Sequence, residues 1–156
     1  PAFQYISEDR ISRKFGKTSK AYNLETVNVG SVNIDLMKNF GEKHEIRYGI
    51  EGVYNDVESE AYNENIETGE KSYDLASRYP DDYGKITTLA AYITHNWELC
   101  DKIIFSQGIR FSQVQLEAQY TDTIMKIMDF PFDKKISQNN SALNNSIGLV
   151  AKPGKD

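Results

Sequence analysis

The chain offers little to do covalent chemistry with. Its 156 residues hold two histidines, His44 and His95, and a single cysteine, Cys100. Imidazole is the commonest metal ligand and suits iron and its neighbours, so both histidines are candidates for iron or haem. His95 keeps the alternation of Ile93 and Trp97, however, and His44 directly follows a tight polar turn. Those positions suit polar side chains at a boundary between apolar and wet surroundings better than a metal centre. One thiol makes neither a disulfide nor a zinc-type spacing. A nucleophilic cysteine wants a neighbouring base and a depressed pKa, and no Cys-His pairing shows, so Cys100 reads as inert. Glycine-rich phosphate loops and Ser/His/Asp sets are lacking too. No enzyme, metal or cofactor is expected.

The remaining candidates are binding groups. In "YPDDYG", Asp81 and Asp82 lie between Tyr79 and Tyr83. Paired carboxylates can hold a hard cation such as calcium, but no further spaced acids complete a calcium loop, and Pro80 with two aspartates also makes an ordinary turn. Contact with a ligand is the broader expectation, because function gathers on long loops over rigid scaffolds. Phe130 and Phe132 of "FPFD" either anchor a loop or touch an apolar ligand. Asn139 and Asn144 in "SQNNSALNNS" stand in glycosylation-type triplets. Glu45, Arg47, Glu51, Glu98 and Arg110 are charged residues interleaved with apolar ones.

That interleaving defines the elements. In "HEIRYGIEGVYN", His44 to Asn55, Ile46, Tyr48, Ile50 and Tyr54 share one parity and Glu45, Arg47 and Glu51 the other. Period two means a strand with one greasy and one charged face. Val32, Ile34 and Leu36 alternate in the same way. So do Leu89 to Leu99, Ile103 to Phe111, and Leu143, Ile147 and Leu149, with Ala2 to Arg13 as a weaker strand. Val27 and Val29 have the opposite parity to Val32, and Val114, Leu116 and Ala118 the opposite parity to Phe111. A slipped residue at Gly30-Ser31 and another near Ser112-Gln113 predict two β-bulges. About six strands result, most of them longer than ten residues. Short turns near Gly41–Lys43, at Cys100–Lys102 and at Pro153–Asp156 alternate with long polar loops at Lys14–Leu24, Val57–Lys85 and Asp122–Asn139.

Composition narrows the class. The length fits one domain. A net charge of -5 argues against nucleic acid as partner, since nothing would displace its counterions. No run approaches the ~18 apolar residues of a spanning helix. The start at Pro1, with no leader, reads as a mature or excised fragment. An alternating pattern serves a soluble lipocalin-like barrel, greasy face inward, as well as a membrane barrel, greasy face outward. Three features favour the membrane. The strands are long, short turns and long loops segregate to opposite ends, and aromatics such as Phe40, Tyr54 and Trp97 stand near strand ends.

"HEIRYGIEGVYNDVESEAY", "SRYPDDYG", "AAYITHNWELCDKIIFSQGIRFSQV" and "FPFDKKISQNNSALNNSIGLVAKPGKD", with "RKFGK" at Arg13 to Lys17, resemble the barrel of a TonB-dependent outer-membrane receptor of the Bacteroidetes type. The resemblance implies an all-β, antiparallel up-and-down meander forming part of a transmembrane β-barrel in the bacterial outer membrane. Residues 1–156 would be a mid-barrel slice. Its implied partners are outer-membrane lipid, a plug domain of the same protein, the TonB energy-transducing complex reached through an N-terminal part, and a scarce nutrient such as an iron-siderophore, haem or cobalamin complex. A haem-type "FRAP" and "NPNL" pair would lie beyond Asp156. On this reading Ile46, Tyr48, Ile50 and Tyr54 face lipid. Glu45, Arg47, Glu51, Glu98 and Arg110 face the lumen, in contact with the plug or paired with one another. Tyr79, Asp81, Asp82, Tyr83, Phe130 and Phe132 belong to the extracellular ligand mouth. Six strands fall below the eight of the smallest single-chain barrels, so the slice alone would not insert.

Overall fold

A computed structural model describes residues 1–129 and 131–152. Six long strands follow one another in a single antiparallel sheet: β1 (Ala2–Arg13), β2 (Ser19–Phe40), β3 (His44–Asn65), β5 (Tyr83–Cys100), β6 (Ile103–Gln119) and β7 (Lys135–Ala151). A two-residue strand, β4 (Lys71–Ser72), pairs with the far end of β3. The one helix among the described residues, α1 (Asp122–Met128), interrupts the β6–β7 connection. The expected meander is therefore the observed one. Its tight turns are sharp because Gly41 takes a left-handed φ of 63° between β2 and β3, and Gly16 a φ of 72° between β1 and β2.

Several local expectations fail. The Lys14–Leu24 segment is not a long loop, because β2 already begins at Ser19. Lys135 to Asn139 belong to β7, and α1 was not foreseen. Cys100 ends β5 rather than sitting in the turn. The expected turn at Pro153–Asp156 lies outside the described residues. The two bulges are absent: β2 pairs with β3 without a slip from Ser19 to Phe40, and β6 is equally continuous against β7. The register shift that exists lies between Glu98 and Cys100.

The parity changes have another cause. Residues paired across neighbouring strands share a face of the sheet. Between the short turns and mid-strand, one face presents Val32, Ile34 and Leu36, then Ile50 and Tyr48, then Leu89 and Ile93, then Phe111 and Ile109. Beyond mid-strand the apolar residues change face without any break in the ladder. Val27 and Val29 of β2, Val57 and Ala61 of β3, Ile86 of β5, and Leu116 and Ala118 of β6 all lie on the face of Glu51 and Arg110. The exchange happens at one level. Ser31 pairs with Val53, Val53 with Thr88 and Thr88 with Val114, which is the row where β2 and β6 switch. A slip would move one strand, whereas a level crossing four strands marks a change in surroundings.

The lower limit of the apolar face is also a row. Phe40 pairs with His44, His44 with Trp97, Trp97 with Phe105 and Phe105 with Leu149. From that belt to the Tyr54 row each strand runs about ten residues, the length a tilted strand needs to cross hydrocarbon. The residues between are open to the surroundings, with Ile50 53% exposed, Tyr48 43% and Leu89 53%. A lipocalin-like packing would have put these inside. Among the described residues no large side chain is fully buried, and four of the five buried apolar residues (Ala61, Tyr62, Ala118 and Ile124) lie above the switch level. The sheet has no core of its own below it.

If hydrocarbon covers the lower face, an arginine at Ile50 should cost about 2–4 kcal/mol and one at Thr87, on the same face in the Tyr54 row, about 0–1 kcal/mol. Urea titration of refolding into phospholipid vesicles by the full-length protein measures both. Equal costs at the two positions would contradict the assignment.

Candidate functional site

The long-loop end is built around a gap. β3 pairs with β5 only as far as Val57 opposite Gly84, and with β4 only at Asn63 and Glu64. Beside the intervening stretch, the β4–β5 loop packs against β3, and Ser59, Ala61, Tyr62 and Ser77 are buried there. The second half of the loop is pinned more than once. Arg78 comes within 3.8 Å of Glu25, which is 5% exposed and also takes a two-pronged bond from Arg10 at 3.0 and 3.1 Å. Asp81 accepts from the Thr121 amide at 2.9 Å and from the Thr121 hydroxyl. Thr121 in turn caps α1 by accepting from the Ile124 amide. Asp82 accepts from the Gln119 side chain. The β4–β5 and β6–β7 loops are thereby tied to each other.

Between them opens a cleft of about 740 Å³ whose walls include Asp9, Glu58, Glu60, Tyr73, Asp81 and Asp82. Among the described residues its lining carries five carboxylates and no cationic side chain. Beside it, Lys134 donates to Asp122 at 2.9 Å. That ammonium holds the Asp122 carboxyl below its usual value, and Asp122 holds the Lys134 amine above its own.

The polar face below the switch level is wired sideways. Arg110 bonds Glu51 across two strand spacings, donates to Ser112 at 3.2 Å and lies 5.7 Å from the Tyr92 ring centre. Tyr92 in turn lies over its cross-strand partner Gly49, where an added Cβ would come within 2.6 Å of the tyrosine oxygen and of the Ile34 carbonyl. Lower down, Arg47 donates to Glu45 at 2.9 Å, Asn96 donates to the same carboxylate at 3.2 Å, and Ser106 donates to Asn96 at 2.8 Å. Lys152 bonds Glu98 at 3.1 Å.

On the opposite face, in and just above the aromatic belt, His44 Nδ1 stands 3.0 Å from His95 Nε2. Gln107 places its side-chain nitrogen 3.2 Å from His95 Nδ1. The His44 ring also lies 5.4 Å from that of Trp97.

The five charged residues singled out in the sequence, Glu45, Arg47, Glu51, Glu98 and Arg110, thus fall on one face, each with a partner. Of the loop residues, Asp81 and Asp82 line the cleft. Tyr79 and Phe132 are exposed and do not line it, Tyr83 opens β5, and Phe130 lies outside the described residues. Sequence reasoning missed Glu58 and Glu60, although their spacing of two already put them on one face, and it missed Asp9 and the Thr121 cap. It also left His44 and His95 unpaired, since 51 residues separate them.

No family model and no curated protein matches the chain. Among solved structures it is similar to the ferric yersiniabactin uptake receptor FyuA from Yersinia pestis, with a TM-score of 0.56 and 14% identity over 94% of this chain. The chain spans 22% of that receptor. At this identity the likeness concerns the fold, and the sheet has the strand meander of a β-barrel wall.

Two outcomes follow. Gly49→Ala should destabilise the full-length protein by about 1–3 kcal/mol through overpacking. Tyr92→Ala in the same chain should restore part of that loss, because the Ile34 carbonyl still crowds the new Cβ; a double-mutant cycle in denaturant measures the coupling. Second, a lowered carboxyl pKa contributes stability above its unfolded value and loses it as pH falls through the folded one, while a raised amine pKa does the reverse. The Asp122–Lys134 tie should therefore persist through neutral pH, weaken below the ordinary carboxyl value of 3.8 and weaken again above the ordinary amine value of 10.5. A nitroxide at exposed Ile127 should become mobile in those two ranges, and Lys134→Gln should make it mobile at every pH.

Proposed function

We propose that the chain is part of the barrel wall of an outer-membrane receptor that imports a scarce nutrient complex with energy supplied from the inner membrane. The observation that carries this reading is the exchange of the apolar face at one level across four strands. Below that level the outside is greasy and the inside charged, and above it the inside is greasy and the loops are long. The likeness to a ferric siderophore uptake receptor supports it, as do the open edges of the sheet. Among the described residues β1 and β7 each pair on one side only, and an open edge in hydrocarbon would leave backbone groups unsatisfied at several kcal/mol each. Further strands of the same protein would close the wall.

On this reading the paired charges Glu51–Arg110, Arg47–Glu45 and Lys152–Glu98 line the lumen and meet a plug domain. Because each is already neutralised by a neighbour, the plug is met by hydrogen bonds rather than by lone ions. The two tied loops with Asp81 and Asp82 form part of the extracellular mouth. An iron-siderophore, haem or cobalamin complex is the class of cargo, and no residue here performs covalent chemistry. In a strain lacking its own high-affinity iron receptors, the full-length gene should restore uptake of one such ⁵⁵Fe- or ⁵⁷Co-labelled complex, and uptake should vanish when the inner-membrane energy-transducing proteins are deleted. Uptake that survives their deletion would count against an energy-driven receptor. A full-length protein that extracts as a soluble monomer without detergent would count against the barrel.

A further inference from the structure

We propose that His44 and His95 form a two-nitrogen chelate for a divalent transition metal, copper(II) before others, with Gln107 orienting it. The site goes beyond the transport reading and does not depend on it. Among the described residues no group of three or more His, Cys, Asp or Glu side chains gathers as a metal cage, so this site supplies one edge of a coordination sphere and leaves the rest to water.

The geometry fits such an edge. The two imidazoles are on adjacent strands, their rings 5.2 Å apart and 14° from parallel, and the facing nitrogens are 3.0 Å from each other. With metal–nitrogen bonds of about 2.0–2.1 Å, a 3.0 Å separation subtends roughly 94° at the metal. That is a cis edge of a square or tetragonal arrangement, the preference of copper(II) with nitrogen ligands, rather than the wider angle of a zinc tetrahedron. The ladders of β3 and β5 are unshifted at both histidines, so the sheet holds the two Cα positions. Each ring, whose nitrogen now points at the other, tilts to turn its lone pair toward the metal.

The protons balance without an outside base. In the metal-free arrangement Gln107 donates to His95 Nδ1, which makes His95 the Nε2–H tautomer donating to His44 Nδ1. Binding needs lone pairs on both facing nitrogens. His95 supplies its own by moving its proton from Nε2 to Nδ1 through solvent. Rotation of the Gln107 amide by a half turn then brings its oxygen to the place of its nitrogen, where it accepts from Nδ1–H. An imidazole ligand anchored through its other nitrogen is the usual support of a metal-bound histidine. No net proton is released between neutral imidazoles, and a proton on either facing nitrogen excludes the metal.

The test uses the full-length protein in detergent and Cu²⁺ as the probe. Wild type should bind one ion more than His44→Ala/His95→Ala, and its copper spectrum should carry splitting from two nitrogens that the double variant lacks. Either single variant should weaken this ion at least tenfold. Gln107→Ala should weaken it about tenfold through the lost support, and Gln107→Glu, which keeps an acceptor for Nδ1–H, should retain it. A wild type that binds no more copper than the double variant overturns the proposal. Should the variants not fold, Cu²⁺ with ascorbate on wild type decides instead. Peptide mass spectrometry should find oxidation at both His44 and His95, and finding neither oxidised overturns the site.

Discussion

A strand that passes from water into hydrocarbon has to keep every backbone hydrogen bond while changing which side chains it shows on each face. Within the bilayer no water can replace a lost ladder bond, so the chain cannot mark the boundary by breaking or slipping. On the proposed reading this chain marks the boundary by composition alone. The ladder between β2 and β3 runs unbroken from Ser19–Asn65 to Phe40–His44, while the apolar residues leave one face at Ser31 and Val53 and take up the other. In the proposed barrel the sheet is inside-out below the crossing and ordinary above it, with Ala61, Ala118 and the buried Glu25 turned inward.

The rest of the molecule follows from that division. In the proposed barrel the outer face carries Lys38, whose ammonium lies over the Phe40 ring of the belt, while charges of the inner face pair laterally: Glu51 with Arg110 across β5, and Glu45 with Arg47 along β3. Gly49 leaves room for Tyr92 to lie flat against the wall and carry Arg110 above it. On the face of Ile50 the polar side chains of His44, His95 and Gln107 engage one another. Where both faces are wet, the chain can afford loops, a short helix and a cleft rimmed by carboxylates.

Much of this was legible in the sequence because period two is hard to hide over strands this long. The six strands, the tight turns at Gly41–Lys43 and after Cys100, and the shared face of Glu45, Arg47, Glu51, Glu98 and Arg110 could all be read from alternation. The two parity changes were visible as well, but a bulge explains a parity change in one strand just as well as a boundary does. Only the cross-strand register shows that Gly30-Ser31 and Ser112-Gln113 stand on nearly one level. The strand ends above that level were harder, since Ser19 to Glu25 and Lys135 to Asn139 are polar on both faces and resemble loops. Helix α1 is only about two turns long and its Thr121 cap is fixed by Asp81 from another loop, and no local signal announces it. The approach of His44 to His95 depends on the offset between β3 and β5, which alternation does not give.

Nitroxide scanning along β3, one residue at a time from Glu45 to Ala61 in the bilayer-inserted full-length protein, tests the central point most directly. Oxygen gathers in hydrocarbon and a charged nickel chelate stays in water, so their collision rates report what each side chain meets. The structure predicts a period-two oxygen signal peaking at Ile46, Tyr48 and Ile50, fading at Tyr54, with even-numbered positions beyond Asn55 meeting the nickel reagent. Water at Ile50, or an oxygen pattern that runs through Tyr54 unchanged to Glu60, would contradict it.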